Sequence, residues 1–549
     1  MKSFYLYIFA AIVFFAAILL TDAIFWADTS DYVDSAIAFQ EGGNYNFWEF
    51  GHLFWRPLGW VVWSQLFQSG YIGNWRMEMN STFQWLNYIA GFVSTLALVA
   101  ILRKFTLSFL IVGITTLCFI FSHAFLNFTQ TGTSYVTALM FYMLGLLFSL
   151  RSQKGQDIAF SILSGANLAI SICMWMPFLW VVPAAIAAPF AISRVERKGL
   201  ISSGWKVASF SIVVILTYLI VLLILQIYSL SELRAWISAA SHGNETRGFL
   251  RMVFGLSRSF VYMGNDGILI KRFLISDPLN PVAFGALVTG ALWKFVLFYC
   301  LAGALLFSLV RTADGRRLTA ILFLAGLPML GFAILFDGGA VERYLPLFAL
   351  AFIGLAVALQ SQTIKIVRYG MLTILAVFAF VNLNAFSFWH IAEKQESYVF
   401  RIAELVVKAD PDDTIFLVNW TDDLINFNRS FPFNEINSRS KLRFNAVVTP
   451  GAIQTKQWRE EFAARSFKAW RNGKNVWLSS RAFSEKPEAD WNWAEGDDKN
   501  VSWKEFPQFF GSLERGESVG DKNGFTLIFK SEANKSFLQK YKDKFGKDL

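Results

Sequence analysis

The sequence predicts a polytopic α-helical membrane protein with a C-terminal extracytoplasmic α/β domain. Of the 549 residues, 55% are hydrophobic and 17% aromatic, and the mean hydropathy is +0.44. Soluble globular domains have about 45–50% apolar residues. Apolar runs that can cross about 30 Å of hydrocarbon recur through roughly the first seven tenths of the chain. After about His390 these runs stop and charges follow every few positions, which indicates a soluble domain.

About eleven apolar runs have the length that a transmembrane helix needs. They cover residues 4–25, 84–102, 105–125, 133–150, 158–174, 177–192, 207–228, 283–310, 318–336, 344–359 and 367–388. Almost no loop separates the fifth and sixth runs. The first run lacks the small-residue cleavage site of a signal peptide, so we expect it to remain as a span.

The short loops predict the orientation, because Lys and Arg residues are retained on the cytoplasmic side. Alternate loops carry them, at Arg103-Lys104, Arg151 with Lys154, Arg194 with Arg197-Lys198 and Lys206, Arg311 with Arg316-Arg317, and Lys365 with Arg368. That face and the N-terminus are predicted to be cytoplasmic. An odd number of spans then places the loops 26–83 and 229–282 and the domain 389–549 outside, with residues 1–388 as the membrane domain.

The net charge of +9 does not indicate a nucleic-acid partner, because much of the excess is the loop charge that sets the orientation. Cys118, Cys173 and Cys300 fall within apolar runs and are interpreted as small hydrophobic residues rather than disulfides or metal ligands. Intramembrane cysteines and abundant phenylalanine fit a bacterial inner membrane.

The C-terminal part alternates between predicted strands and amphipathic helices, which is typical of an α/β domain. Strands are predicted at residues 414–420, 475–480 and 525–530, and helices at 393–408 and 456–470. The domain also has a tryptophan-rich segment, for which there are two interpretations. In one, its rings stack on sugars. The favoured interpretation is core or membrane-facing aromatic residues. These residues are Trp491, Trp493 and Trp503.

The external loop after the first span contains the most informative acidic residues. Asp28 and Asp31 are three positions apart and share a face if the chain is helical there, and Asp34 continues that face one turn further. Carboxylates at a membrane boundary are costly unless they have a function. The alternative is a cluster that caps the N-terminus of an interfacial helix.

The same loop contains further polar candidates. Tyr32 and His52 lie near the acids in sequence, and Pro57 directly after Arg56 suits the first turn of a second interfacial helix. All four histidines fall on or near the predicted outer face, at His52, His123, His242 and His390. Their wide spacing has no metal-binding signature, and ordinary interfacial histidines are the favoured interpretation.

Two groups of external arginines are candidate phosphate ligands. Arg343, between Glu342 and Tyr344 at the end of the tenth span, lies where a lipid phosphate would be; snorkelling or pairing with Glu342 is the alternative. In the loop that contains His242, a helix would bring three arginines within about 40° of one another on one face. Contact of that helix with anionic headgroups is the alternative there. The three are Arg247, Arg251 and Arg258.

The order and sidedness of these motifs resemble the GT-C superfamily, membrane glycosyltransferases that use polyprenyl-phosphate sugars. Asp28-Thr29-Ser30-Asp31-Tyr32 resembles a loop of the lipid A aminoarabinose transferases and the protein O-mannosyltransferases. Arg56-Pro57-Leu58-Gly59-Trp60 is similar to their basic-Pro-Leu segment. Glu342-Arg343-Tyr344-Leu345-Pro346 resembles a late-span motif common in the group. The similarity covers residues 1–388 and implies a GT-C-like fold.

The resemblance implies inverting transfer from a polyprenyl-phosphate-linked sugar donor to a lipid, glycan or protein acceptor. Asp28 would be the base, with Asp31 as the alternative. The implied donor-phosphate ligands are Arg343 and Arg56, then Arg247 and Arg251, with Tyr344; Tyr32, His52, His242 and Glu342 are further site candidates. Many members have two adjacent acids, whereas here two residues separate Asp28 from Asp31. This leaves open which acid is the base and whether a divalent cation, Mg²⁺ or Mn²⁺, takes part.

Two other function classes compete with the transferase. A transporter or flippase of polyprenyl-linked lipid or sugar would have inverted repeats and charges deep within its spans. The sequence has few deep charges and no evident repeat, which favours the enzyme. A noncatalytic receptor, in which residues 390–549 bind the ligand, is the third possibility.

Overall fold

In the computed structural model the chain divides into two units, Met1–Met263 with Leu292–His390 and Gly264–Ala291 with Ile391–Leu549. The structure describes residues 2–24, 28–43, 47–67, 75–105, 107–152, 158–192, 197–240, 248–264, 268–274, 282–389, 405, 408–410, 413–417, 445–448, 458–485, 505–519 and 524–542. The division at residue 388 into a membrane domain and a soluble domain stays a prediction.

Each predicted apolar run before residue 390 contains helix among the described residues, because a backbone in hydrocarbon must satisfy its hydrogen bonds internally. The helices are α1 (Lys2–Leu20), α2 (Thr29–Gln40), α3 (Trp55–Phe67), α4 (Trp75–Leu102), α5 (Phe109–Ile120), α6 (His123–Thr129), α7 (Tyr135–Arg151), α8 (Ile158–Met174), α9 (Val182–Ala187), α10 (Pro189–Ile192), α11 (Arg197–Ile224), α12 (Leu230–Ala239), α13 (Phe249–Phe260), α14 (Ile268–Leu274), α15 (Phe284–Leu287), α16 (Trp293–Val310), α17 (Ala313–Leu335), α18 (Leu345–Ser361) and α19 (Lys365–Phe386).

Six helices among the described residues are long and apolar enough to cross a membrane, or seven if α5 and α6, which bend by 61°, are one span. Shorter apolar helices occupy the other predicted runs, at Phe4–Leu20, Tyr135–Arg151, Ile158–Met174 and Met176–Ala187. The protein is thus an integral membrane protein, and the number of eleven spans stays a prediction.

Two predicted spans are not continuous helices. The third is bent between α5 and α6. The sixth consists of a 3₁₀ turn, Met176–Val181, followed by α9 and α10. Three prolines interrupt this stretch, and proline has no backbone N–H to continue a helix. They are Pro177, Pro183 and Pro189.

The opening loop forms the two short helices that the sequence predicts, α2 and α3, and both pack against α4. The Trp55 ring lies 5.1 Å from the Phe83 ring. A Cβ atom at Gly59 would come within 2.0 Å of the Phe83 side chain, so this close approach requires glycine. These contacts fix the loop beside the N-terminal half of α4.

The second unit contains a five-stranded sheet in the order β2-β1-β3-β5-β4. The strands are β1 (Thr414–Leu417), β2 (Asn445–Val448), β3 (Val476–Ser479), β4 (Arg515–Val519) and β5 (Phe525–Ile528), and the helices are α20 (Trp458–Arg471), α21 (Glu505–Phe510) and α22 (Glu532–Lys542). The strands β2, β1 and β3 are parallel, and β5 and β4 are antiparallel.

The predicted strands and the predicted helix 456–470 are confirmed within the described residues. Phe416, Phe462 and Phe510 lie in one buried core between the sheet and its helices. Most of the predicted helix 393–408 and the three tryptophans at 491, 493 and 503 lie outside the described residues.

Candidate active site

The Asp28 carboxylate occupies the position that precedes α2, but it makes no capping hydrogen bond to the helix. Its Oδ2 atom instead accepts a hydrogen bond from the Tyr135 hydroxyl at 2.6 Å and a longer one from the Tyr32 hydroxyl at 3.4 Å. Asp28 remains exposed. Tyr135 begins α7, so a distant element holds this carboxylate. The helix-capping alternative therefore does not describe Asp28.

The other two aspartates of the loop, Asp31 and Asp34, lie on the same side of α2. Asp31 and Asp34 are exposed, whereas the intervening Tyr32 and Val33 are buried. The predicted acidic face is therefore confirmed. Asp31 stays an alternative base, because it is accessible and one helical turn from Asp28.

Behind Asp28 lies a group of polar side chains, of which Tyr32 and Ser134 are buried and His52 is half-buried. The Tyr32 hydroxyl is 3.3 Å from His52 Nε2, and His52 Nδ1 is 2.8 Å from the Ser134 hydroxyl. Burial lowers the pKa of His52 to about 4. Burial, and then the charge of Asp28, raises the pKa of Tyr32 well above its usual value. Both groups are therefore neutral near pH 7.

The segment between α6 and α7, residues 130–134, holds this group together. Gly132 accepts a hydrogen bond from Trp55 Nε1 at 2.9 Å and donates one to the Thr29 hydroxyl at 3.1 Å. The Asn87 amide donates to the carbonyls of Thr131 and Thr133. This buried corner ties the opening loop to α4 and α7.

Arg56 is buried in an ion pair with Glu49, with 2.5 Å between Nη1 and Oε2 and only 2% of the arginine side chain exposed. Its guanidinium lies 4.7 Å from the Tyr32 ring centre. A buried cation that already has a carboxylate partner offers little charge to a ligand. This arrangement favours a structural role for Arg56 over the predicted phosphate contact.

The late motif comes close to the opening loop. Glu342, Arg343 and Tyr344 form a 3₁₀ turn directly before α18. Glu342 lies within electrostatic range of the Asp28 carboxylate and of the neutral Tyr135 phenol. Two of the three motifs that carry the family resemblance therefore lie within electrostatic range of each other, although they are far apart in sequence.

The two residues after Glu342 differ in their surroundings. The Arg343 guanidinium lies 4.7 Å from the Phe336 ring centre, and its buried Nε has no hydrogen-bond partner among the described residues. The Tyr344 hydroxyl is fully buried, 2.7 Å from Gly338 O and 2.9 Å from Met252 O. Arg343 thus remains a phosphate-ligand candidate, and the contacts of Tyr344 favour a structural role.

The second arginine group is described in part. The helix predicted there exists as α13, with Arg251 half-buried and Arg258 buried. Arg258 Nη1 donates to Gly339 O at 3.1 Å. Arg247 and His242 lie outside the described residues. Within the described ranges, no group of three or more His, Cys, Asp or Glu side chains is arranged to hold a metal ion.

Two members of the site were missed by the sequence interpretation. Tyr135 lies at the start of an apolar run, where a tyrosine is most simply an interfacial residue, and nothing nearby in sequence links it to Asp28. Glu49 had a weak signal, because it is an acid seven positions before Arg56 in the same loop.

No family model and no curated protein matches this chain. Its structure is similar to ArnT from Cupriavidus metallidurans bound to undecaprenyl phosphate, with 12% identity, a TM-score of 0.49 and coverage of 95% of this chain and 97% of that chain. For the apo state of that protein the identity is 12%, the TM-score 0.49 and the coverage 96% of both chains.

A third similar structure is arabinofuranosyltransferase AftD from Mycobacteria, with 12% identity and a TM-score of 0.43. The alignment covers 94% of this chain and 37% of that chain. At TM-scores below 0.5 these likenesses do not transfer a function to this chain. ArnT and AftD are both GT-C glycosyltransferases, the group that the motifs of this chain resemble.

Proposed function

We propose that this protein is an inverting glycosyltransferase that moves a sugar from a polyprenyl-phosphate donor to a hydroxyl group of an envelope lipid, glycan or protein. The observation that carries the proposal is the exposed Asp28 carboxylate, which is held by two phenols and lies near the turn of Glu342 and Arg343. A proton acceptor and a cation thereby lie in one region.

Asp28 acts as the general base on the acceptor hydroxyl. Both phenols bind its Oδ2 atom, and its Oδ1 atom has no hydrogen-bond partner among the described residues. Oδ1 is therefore the oxygen that takes the proton while the acceptor oxygen bonds to the anomeric carbon. A positioned base contributes typically about 10²- to 10⁴-fold to the rate.

The bond between the anomeric carbon and the phosphate oxygen breaks in the same step, and negative charge develops on the departing polyprenyl phosphate. Fixed cations stabilise such charge best where water is excluded. Arg343 is the described cation next to the site that supports this role, because its Nε is buried and open to a partner. A single displacement of this kind inverts the anomeric centre.

The polyprenyl chain of the donor stays in the bilayer, so the enzyme must meet it at the membrane boundary. An apolar cavity of about 280 Å³ lies among α5, α16, α18 and α19, with Phe121, Phe298, Phe352 and Phe378 in its wall. Its chemistry suits a hydrocarbon chain. We place the reaction on the periplasmic side of a bacterial inner membrane, with the N-terminus cytoplasmic and the soluble domain periplasmic.

The test uses purified full-length protein in detergent, a radiolabelled polyprenyl-phosphate sugar and extracted envelope lipids and glycans as acceptors. We expect label to leave the donor with release of polyprenyl phosphate, and Asp28→Asn to lower this rate by at least about 100-fold. Asp34→Asn is the matched control, since Asp34 is an exposed acid of the same helix.

Normal transfer by Asp28→Asn, with loss in Asp31→Asn instead, would move the base to Asp31. Normal transfer by both variants would refute a role for this acidic face. Movement of intact labelled donor across proteoliposomes without bond cleavage would favour the transporter.

A further inference from the structure

Helix α13 is bonded to the residues around the late motif, 337–344, which we name the turn segment. The Tyr344 hydroxyl lies between a carbonyl of α13, Met252 O at 2.9 Å, and a carbonyl of the turn segment, Gly338 O at 2.7 Å. Arg258 of α13 donates to Gly339 O at 3.1 Å. Side chains from both partners therefore bind backbone groups across this contact.

Two glycines allow the backbones to approach closely. A Cβ atom at Gly255 of α13 would lie 2.0 Å from Gly338 O. A Cβ atom at Gly338 would lie 2.9 Å from the Met252 backbone. Such distances are too short for any side chain, so the docked arrangement requires glycine at both positions. Asp337 enters the turn with φ of 44°, a left-handed conformation that is uncommon outside glycine.

The helical repeat relates this contact to the candidate phosphate ligands. Arg251, Gly255 and Arg258 lie within about 60° of one another around α13, because their spacings of 4 and 3 residues are close to one turn. Gly255 and Arg258 face the turn segment. Arg251 therefore lies on the side of α13 that faces the segment carrying Arg343.

We propose that Tyr344, with Gly255 and Gly338, positions Arg343 for the donor phosphate by docking the turn segment onto α13. This inference rests on the proposed function. Tyr344 itself is fully buried and its hydroxyl is occupied by backbone carbonyls, so it is a positioning residue and not a ligand. The phosphate site thus depends on a helix that precedes the motif by more than one span.

The test compares Tyr344→Phe with Tyr142→Phe in the full-length protein. Tyr142 is the matched control, because it is also fully buried and its hydroxyl donates to a backbone carbonyl, Val181 O, at 3.3 Å. Hydrogen exchange of residues 249–260 and 337–341 reports on the docking. Binding of polyprenyl monophosphate in mixed micelles, together with the donor KM, reports on the phosphate site.

We expect Tyr344→Phe to speed exchange in both peptides and to weaken polyprenyl monophosphate binding about tenfold, the loss typical of one buried hydrogen bond. The donor KM rises similarly, while the acceptor KM and kcat at saturating donor stay near the wild-type values. Gly255→Ala has the same pattern with a larger change. Tyr142→Phe alters neither exchange in these peptides nor binding.

Faster exchange with unchanged binding would overturn the positioning role, and unchanged exchange in both Tyr344→Phe and Gly255→Ala would overturn the docking. Arg343→Ala separates this inference from the proposed function. We expect it to abolish polyprenyl monophosphate binding without changing exchange. Binding that depends on Arg343 but not on Tyr344 refutes only the inference, whereas no binding by the wild-type protein refutes the proposed donor site.

Discussion

Asp28 and Arg56 both belong to the opening loop, but their charged groups have opposite surroundings. Asp28 is exposed and is held by the phenols of Tyr135 and Tyr32. Arg56 is buried and its charge is balanced by Glu49. A charge is therefore available for chemistry where its bonding partners are neutral, whereas a charge with an ionic partner supports the structure.

The first prediction, with the largest expected effect, concerns the buried partner of Arg56. Glu49→Gln leaves Arg56 uncompensated, and loss of one partner of a buried pair costs about 3–5 kcal/mol. Thermal or denaturant unfolding of the purified protein measures this loss. The control is Asp314→Asn, because the Asp314–Arg317 pair is largely exposed and exposed pairs contribute about 0–1 kcal/mol.

A double variant, Glu49→Leu with Arg56→Met, tests the pair as a whole. Replacing a whole buried pair by apolar residues is often neutral or stabilising. We expect it to recover most of the stability lost in Glu49→Gln. If Glu49→Gln and the double variant lose the same stability, the pair is not the structural element that we describe.

The second prediction concerns the neutral histidine behind Asp28. The unfolded chain protonates His52 near pH 6.5, whereas burial lowers its pKa in the folded protein to about 4. Between these values the unfolded state binds more protons, so stability falls as the pH is lowered through this window, by up to about 3 kcal/mol. His52→Gln should remove this part of the pH dependence of the unfolding temperature. An identical pH dependence in the variant would contradict the buried neutral imidazole.

The third prediction, with the smallest expected effect, compares the two phenols that bind Asp28. Tyr135→Phe removes the shorter bond to Asp28 and should lower kcat about tenfold, as expected for a hydrogen bond to a charged group. Tyr32→Phe removes the longer bond and should lower kcat only about two- to threefold. Steady-state transfer rates at saturating donor measure both. The reverse order would show that Tyr32, not Tyr135, holds the base.

Much of the membrane part could be predicted because its signal is local. A long apolar run has to be helical in hydrocarbon, and each predicted run contains helix. The breaks in the sixth run follow from its prolines, but the sequence does not specify whether proline bends, shortens or ends a helix. The strands β3 and β5 were predictable for the same local reason, whereas their antiparallel pairing depends on contacts distant in sequence.

The candidate site was predictable only in part. Asp28 and Glu342 were singled out by motif order, and the structure brings them within electrostatic range. The bonding partners of these charges could not be predicted from the sequence, because Tyr135, which binds Asp28, belongs to another helix. Arg56 illustrates the limit, since no local pattern distinguishes a free arginine from one paired with Glu49.

The corner between α6 and α7, residues 130–134, limits where related proteins can gain or lose residues. Its backbone and hydroxyl groups bond to Thr29, His52, Trp55 and Asn87 together. Inserting or deleting one residue there would shift all of these bonds together. The exposed connections can therefore change in length, while the length of this corner must stay fixed.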